Sequence, residues 1–240
     1  VKVGAGENWD EFVAYCVEEK WYGTENLSLI PGEVGAAAVQ NIGAYGVEIK
    51  DFIESVETVT SEGKKEIVPV AACDYSYRMS RFKKQENKST FITYVNLILS
   101  KKEQYHLDYG SVRKELCDAP VTLQKVREVI IKIREEKLPN PSDIGNGGSF
   151  FMNPVVDEGF FMNLQAKYPN VPFYKLPNNQ YKIPAAWMID QCGWKGKRIG
   201  NVGVYPKQAL VLINYGGATG SEVYHLARSI QESVKENFAV

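Results

Sequence analysis

"KLPNPSDIGNGGSF" (residues 137–150) breaks an otherwise regular chain with two prolines and three glycines. Proline removes a backbone donor and fixes φ, while glycine frees the backbone, so this stretch reads as a junction between two parts of the chain. Immediately upstream, Thr122 caps a helix whose apolar stripe is Val126, Val129, Ile130 and Ile133. "DAPVT" (118–122) separates that helix from "STFITYVNLILS" (89–100), an apolar and β-branched strand. Before it, "FIESVETVTSEGKKEIVPV" (52–70) alternates about the turn "SEGK" and reads as a hairpin. The segment "LIPGEVGAAAVQNIGAYGVE" (29–48) has no clear period and reads as a loop with short helical pieces. Asn8 with Glu11 starts a first helix carrying Phe12, Val13, Cys16 and Val17, directly after a strand in "VKVGAG".

Downstream of the junction, Phe160–Tyr168 and Ala185–Gln191 have helical spacing, and "ALVLIN" (209–214) reads as a strand. The last helix is capped by Thr219 with Glu222 and buries Val223, Leu226, Ile230, Val234 and Phe238. The order is α+β in two parts, 1–120 and 121–240, with the junction near 137–148.

Composition narrows the function. The 240 residues carry a net charge of −1, with 44% hydrophobic and 24% charged residues, so no basic excess points to nucleic acid. No run is long enough to span a membrane. Cys16, Cys73, Cys117 and Cys192 are scattered without a CxxC pair, which suits a reducing cytoplasm. His106 and His225 are the only histidines, which argues against a histidine-rich metal site and against a Ser-His triad. The first residue is Val1, and the strand already under way there reads as the start of a fragment.

Familiar signatures fail. "GAGENW" (4–9) lacks the third glycine of a dinucleotide fingerprint, and no GxxxxGK[ST], HExxH or GxSxG occurs. What remains is rich in backbone and poor in side chains. Gly32, Gly35, Gly43 and Gly46 stand among alanines, with Gln40, Asn41 and Tyr45 the long side chains. Such a segment lets a flat ligand approach backbone N–H groups, or simply packs closely on a sheet, and composition favours packing. In "YSYRMSRFKK" (75–84), Arg78 beside Tyr75 and Tyr77 suits a planar carboxylate or an aromatic ring, whereas Arg81, Lys83 and Lys84 read as a surface cationic patch. Tyr109 in "LDYGS" is either a turn aromatic or part of a lid. Ser149, without a histidine, is a poor nucleophile. It can still donate a proton to a carbanion-like centre if rigidly aimed; capping the following turn is the ordinary alternative.

Taken together, "VGAGENWDEFV", "ENLSLIPGEVGAAAVQNIGAYGVE", "YSYRMSRFK", "LDYG", "KLPNP", "GNGGSFFMNPVV", "AAWMIDQCGWKG" and "KQALVLIN" resemble the bacterial UDP-N-acetylenolpyruvoylglucosamine reductases, the MurB family. The pieces are in family order along nearly the whole chain, and "LDYG" points to the subgroup with a tyrosine-bearing loop. The resemblance implies the second lobe of an FAD-binding domain of the PCMH or vanillyl-alcohol-oxidase type, followed by the family's C-terminal α+β substrate-binding domain. It implies non-covalent FAD, reduced by NADPH, and a hydride passed to the enolpyruvyl group of UDP-N-acetylglucosamine enolpyruvate in cytoplasmic peptidoglycan synthesis.

Residue by residue, the resemblance makes Ser149 the proton donor and Arg78 the group that offsets charge beside the substrate carboxylate. It places Ile30, Pro31, Gly32, Gly35, Ala36, Gln40, Asn41, Gly43, Ala44, Tyr45 and Gly46 around the isoalloxazine ring. Tyr109, Lys137, Asn153, Tyr174, Lys195 and Gln208 fall on positions for the UDP, diphosphate or sugar. No metal is implied, and the full-length enzyme is expected to be a monomer.

Two departures matter. The family's first, pyrophosphate-binding lobe and its C-terminal glutamate segment have no counterpart here, and Glu236 lies on the last helix instead. The chain is therefore read as cut at both ends and inactive by itself. The competing readings are an alcohol-oxidising enzyme of the same FAD fold and a UDP-sugar binding module. The first would use a flavin-attaching histidine; the second would not need Ser149 or Arg78.

Overall fold

Asn8 begins the first helix, four residues after the first strand ends at Gly4. Its side-chain oxygen accepts the N–H groups of Asp10 and Glu11 at 2.9 and 3.1 Å, two donors that a first helical turn leaves without partners. In the computed structural model, which describes residues 1–117 and 120–240, β1 (Lys2–Gly4) is followed by α1 (Trp9–Glu18), which buries Trp9, Phe12, Val13, Cys16 and Val17. The small-residue segment forms α2 (Val34–Gln40) and a tight hairpin, β2 (Gly43–Ala44) with β3 (Val47–Glu48). The hairpin expected about "SEGK" is β4 (Ile53–Thr60) with β5 (Lys65–Pro69). Strand β6 (Thr90–Leu97) pairs with both β4 and β1, so an antiparallel sheet runs β1-β6-β4-β5. Alternation sends Val3, Val56, Val68 and Val95 inward, where they meet Trp9, Val13, Ala37 and Ala38 in one core.

Helix α3 (Val112–Leu116), which the sequence reading does not contain, packs Val112 and Leu116 against α4 (Leu123–Lys137). Thr122 caps α4 as expected, its Oγ1 accepting the Lys125 N–H at 3.1 Å. Asp118 and Ala119 of the "DAPVT" break lie outside the described residues. Contacts divide the chain into Val1–Arg134 and Glu135–Val240. Most of α4 thus packs with the first unit, whereas division at 120/121 puts it in the second. Its stripe Val126, Val129, Ile130 and Ile133 shares a core with Leu107, Val112 and Leu116. Both Arg127 Nη atoms bond the Asp10 carboxylate of α1, at 2.6 and 2.9 Å, and Arg134 Nε donates to the Leu29 carbonyl. Burial opposes charge on Asp10, but Arg127 and the Leu29 N–H hold its carboxyl below the ordinary range.

The second unit contains β7 (Gly145–Ser149), β8 (Val155–Asp157), α5 (Glu158–Lys167), β9 (Tyr174–Leu176), β10 (Gln180–Lys182), α6 (Ala185–Gln191), β11 (Arg198–Ile199), β12 (Val202–Val204), β13 (Val211–Asn214) and α7 (Gly220–Phe238). They form two antiparallel sheets, β8-β10-β9 and β11-β12-β13-β7. The expected cap of α7 is reciprocal: Glu222 N–H donates to Thr219 Oγ1, and the Thr219 N–H to Glu222 Oε2. Leu226 and Ile230 of α7 pack on Val202, Val204 and Leu212, and Phe238 joins Phe161, Tyr181 and Met188. Helices beside antiparallel sheets make this the α+β class expected. Among the described residues no helix is long and apolar enough to cross a membrane.

Candidate active site

In the first unit the candidate residues Arg78, Asn41, Gly43 and Tyr109 meet at the β2–β3 hairpin. Arg78 sits at the corner of a tight turn closed by Ser76 and Met79 and has φ 56°, a region non-glycine residues seldom enter. From there its Nη2 donates to the Gly43 carbonyl at 2.5 Å and its Nη1 to the Asn41 carbonyl at 3.2 Å. Glu48 Oε1 lies 3.7 Å from Nη1. Gly43 has to be glycine, since a Cβ there would stand 2.9 Å from Arg78 Nη1 and from the Val47 carbonyl oxygen. The guanidinium is held by backbone and still 31% exposed, so a fixed positive charge faces solvent at the hairpin's edge.

The residues expected around a flavin ring separate by what they touch. Gly32 faces open space, and Pro31, Ala36, Gln40 and Gly46 are exposed. Ile30, Ala44 and Tyr45 are half-buried. Gly35 packs on Ala5, so closely that a Cβ would come within 2.8 Å of the Ala5 Cβ. Asn41 is buried, and its side chain bonds Glu48, the Ser76 carbonyl and the Lys50 N–H. Asn41 and Gly35 therefore shape the segment, while its exposed small residues leave backbone within reach of a flat ligand. Gln40 accepts a bond from Lys83 Nζ at 3.0 Å. Two members of the cationic patch are ion-paired, Lys84 with Asp74 at 2.7 Å and Arg81 with Glu66 at 3.9 Å. Tyr109 lies beside Gly46, where an added Cβ would come 3.3 Å from the tyrosine Cβ.

Sequence reasoning missed the buried polar turn Thr24–Asn26 behind this hairpin, because polar residues next to "WYG" carry no periodic signal. Glu25 is 1% exposed. Its Oε2 accepts the Gly23 N–H at 2.7 Å, and its Oε1 has no partner among the described residues. Burial pushes its carboxyl above the ordinary 4.5, against the bonds from its own N–H and that of Gly23 and the pull of His106. A raised value in the folded state favours folding below the unfolded value, about 4.3, and that contribution is lost as pH rises through the folded value. Glu25→Gln is therefore expected to gain stability relative to the wild type as pH rises from about 4 to 8. Denaturation midpoints of both proteins across that range check this, and parallel curves would show that Glu25 titrates normally.

In the second unit Ser149 ends β7, the edge strand of its sheet, opposite Val211. The stretch expected to be a bare junction is a strand here because edge pairing uses backbone alone and needs no side chain. One extra residue on β7 interrupts the pairing between Asn146 and Ser149. Gly148 takes up the bulge with φ 71°, and its N–H donates to Asn146 Oδ1 at 3.0 Å. Such bulges re-aim the next side chain. The Phe150 N–H donates to the Leu210 carbonyl at 2.8 Å, so Ser149 is held by backbone on both sides and its side chain is exposed.

The expected nucleotide-binding side chains are spread over this unit. Lys137 is exposed at the end of α4. Tyr174 opens β9, 5.5 Å beneath Lys182 Nζ. Lys195 pairs with Asp190 at 3.3 Å. Asn153 Oδ1 accepts the Ala185 N–H at 2.9 Å, and Gln208 Oε1 that of Leu210 at 3.3 Å. Both amides therefore use their oxygens locally.

The family described as "FAD binding domain" matches residues 1–67, and that described as "UDP-N-acetylenolpyruvoylglucosamine reductase, C-terminal domain" matches residues 140–240. The chain is 60% identical over 241 residues to the UDP-N-acetylenolpyruvoylglucosamine reductase of Bacteroides fragilis (strain YCH46), covering 100% of this chain and 73% of that protein. It is 49% identical over 243 residues to the enzyme so named in Porphyromonas gingivalis (strain ATCC BAA-308 / W83), covering 100% and 72%. The crystal structure of UDP-N-acetylenolpyruvylglucosamine reductase (MurB) from Thermus caldophilus superposes with a TM-score of 0.65 at 21% identity, covering 97% of this chain and 68% of that one. At that identity the likeness bears on the fold alone.

Proposed function

This chain belongs to the UDP-N-acetylenolpyruvoylglucosamine reductase family, and from that membership we propose that it reduces UDP-N-acetylglucosamine enolpyruvate to UDP-N-acetylmuramate in peptidoglycan synthesis. It is an oxidoreductase with FAD as cofactor and NADPH as co-substrate. The observation that carries this reading is the 60% identity to the Bacteroides fragilis reductase along the whole chain. The first unit serves as the FAD lobe and the second as the substrate domain, a division supported by the two family matches. The exposed, small-residue backbone of residues 31–46 fits a flat ring. FAD, when bound, supplies the hydride that adds to the vinyl carbon of the substrate.

The chain's own residues do the rest. As charge builds beside the substrate carboxylate, Arg78 offsets it with a guanidinium already oriented by two carbonyls. Ser149 gives its hydroxyl proton to the carbon next to the carboxylate. Lys137 and Lys195 neutralise the diphosphate, Lys195 trading its exposed partner Asp190 for it. Asn153 and Gln208, their oxygens occupied, present N–H groups to the nucleotide sugar, and Tyr109 and Tyr174 add aromatic contact. A cytoplasmic location agrees with the free thiols of Cys16, Cys73, Cys117 and Cys192, and a monomer remains part of the reading.

The full-length protein is expected to carry a flavin spectrum and to oxidise NADPH anaerobically only when the enolpyruvyl sugar nucleotide is added. Tight binding of that compound to a colourless protein without NADPH oxidation would replace this reading with a UDP-sugar binding module.

A further inference from the structure

We propose that Asn26 is a positioning residue that sets where the Tyr109 segment lies over the β2–β3 hairpin. Its Nδ2 donates to two carbonyls far apart in the chain, Tyr45 O at 3.0 Å and His106 O at 2.7 Å. One carbonyl directly precedes Gly46, and the other directly precedes Leu107, two residues before Tyr109. The two hydrogens of a planar amide diverge at a fixed angle, so this one group sets the spacing of both segments.

Three further features agree. Asn26 has no exposed surface, so water cannot replace either bond. Its Oδ1 is buried without a partner among the described residues, so within the side-chain amide the NH₂ group carries the contacts. Tyr109 meets Gly46 where even a methyl group would crowd it, so a small shift of either segment moves the tyrosine. Leu107 and Val112 remain anchored in the apolar cluster with α4. Losing the Asn26 bonds should therefore loosen residues 105–110 without unfolding the unit. Both acceptors are backbone groups, so no side-chain change at Tyr45 or His106 imitates this effect.

The inference rests on the reading of Tyr109 as a substrate contact, and its test separates the two. In the full-length, FAD-loaded protein, Asn26→Ala is expected to raise the KM for the enolpyruvyl substrate roughly tenfold, the scale set by a lost buried hydrogen bond. Flavin reduction by NADPH should stay within about twofold, since no reacting group has moved. Amide exchange should quicken at residues 105–110 and not in β4 or β6. The double variant with Tyr109→Ala should be no worse than Tyr109→Ala alone. Asn26→Asp keeps the shape and removes the NH₂ group, so the comparison is read in whichever variant folds. Unchanged exchange at 105–110, exchange raised equally in β4 and β6, or multiplicative effects in the double variant would each overturn the proposal. If Tyr109→Ala leaves KM unchanged while Asn26→Ala still loosens 105–110, the substrate role of Tyr109 falls and the tether stands.

Discussion

Ser149→Ala, in the full-length FAD-loaded enzyme, is expected to leave flavin reduction by NADPH nearly unchanged and to slow reoxidation by the enolpyruvyl substrate by about 10²–10⁴-fold. A proton donor acts with or after hydride delivery, so only the second half-reaction should need it. A serine hydroxyl is too weak an acid for most general acid work, and a carbanion-like centre beside a carboxylate is basic enough to take its proton. Aim is then the requirement. The bulge at Gly148 and the bonding of Phe150 to Leu210 hold the Ser149 backbone, so the strand that carries the hydroxyl is fixed before substrate arrives. Ser149→Cys should recover part of the rate, because a thiol also supplies a proton. Stopped-flow absorbance follows the two half-reactions separately. Equal slowing of both would mean that Ser149 only shapes its strand.

Arg78→Lys is expected to lower kcat/KM by roughly 10²–10³-fold, the loss typical of removing one preorganised donor to developing charge. Charge alone survives this change; geometry does not. The guanidinium fork bonds the carbonyls of Asn41 and Gly43 and keeps a charged surface exposed, whereas one ammonium cannot reach both carbonyls and still present a planar pair of donors. Glu48, held also by Asn41 and Lys50, would then be the nearest partner for the lysine and would draw it inward. A kcat/KM within about twofold of wild type would show that the fork is dispensable.

Much of the fold was legible because its causes are local. The Asn8 cap, the alternation about "SEGK" and the Thr219–Glu222 capping box each lie within a few residues, and each appears where the sequence places it. The short strands β8 to β12 were not legible, since two or three residues give no period to detect. Helix α4 was read correctly as a helix, but its packing with the first unit includes Arg127 meeting Asp10, 117 positions away. For the site, family motifs rather than residue pattern pointed to Arg78 and Ser149, and neither signal could separate Asn41 and Gly35, spent on internal packing, from their exposed neighbours.

By itself, then, the sequence determined the longer helices, the long strands and the α+β class, because periodicity and caps are properties of short stretches, and its family motifs named the candidate site residues. Only the tertiary structure decided how those residues are held. Glycines read as a junction became a bulged edge strand because β13 offers its backbone to pair with. A positive-φ arginine is held because two carbonyls of the hairpin receive it. Asn26 gained a role because two chain segments, 19 and 80 residues distant, bring their carbonyls to one amide. Hydrogen-bond partners separated by that much chain leave no trace in local pattern; the fold has to form before they meet.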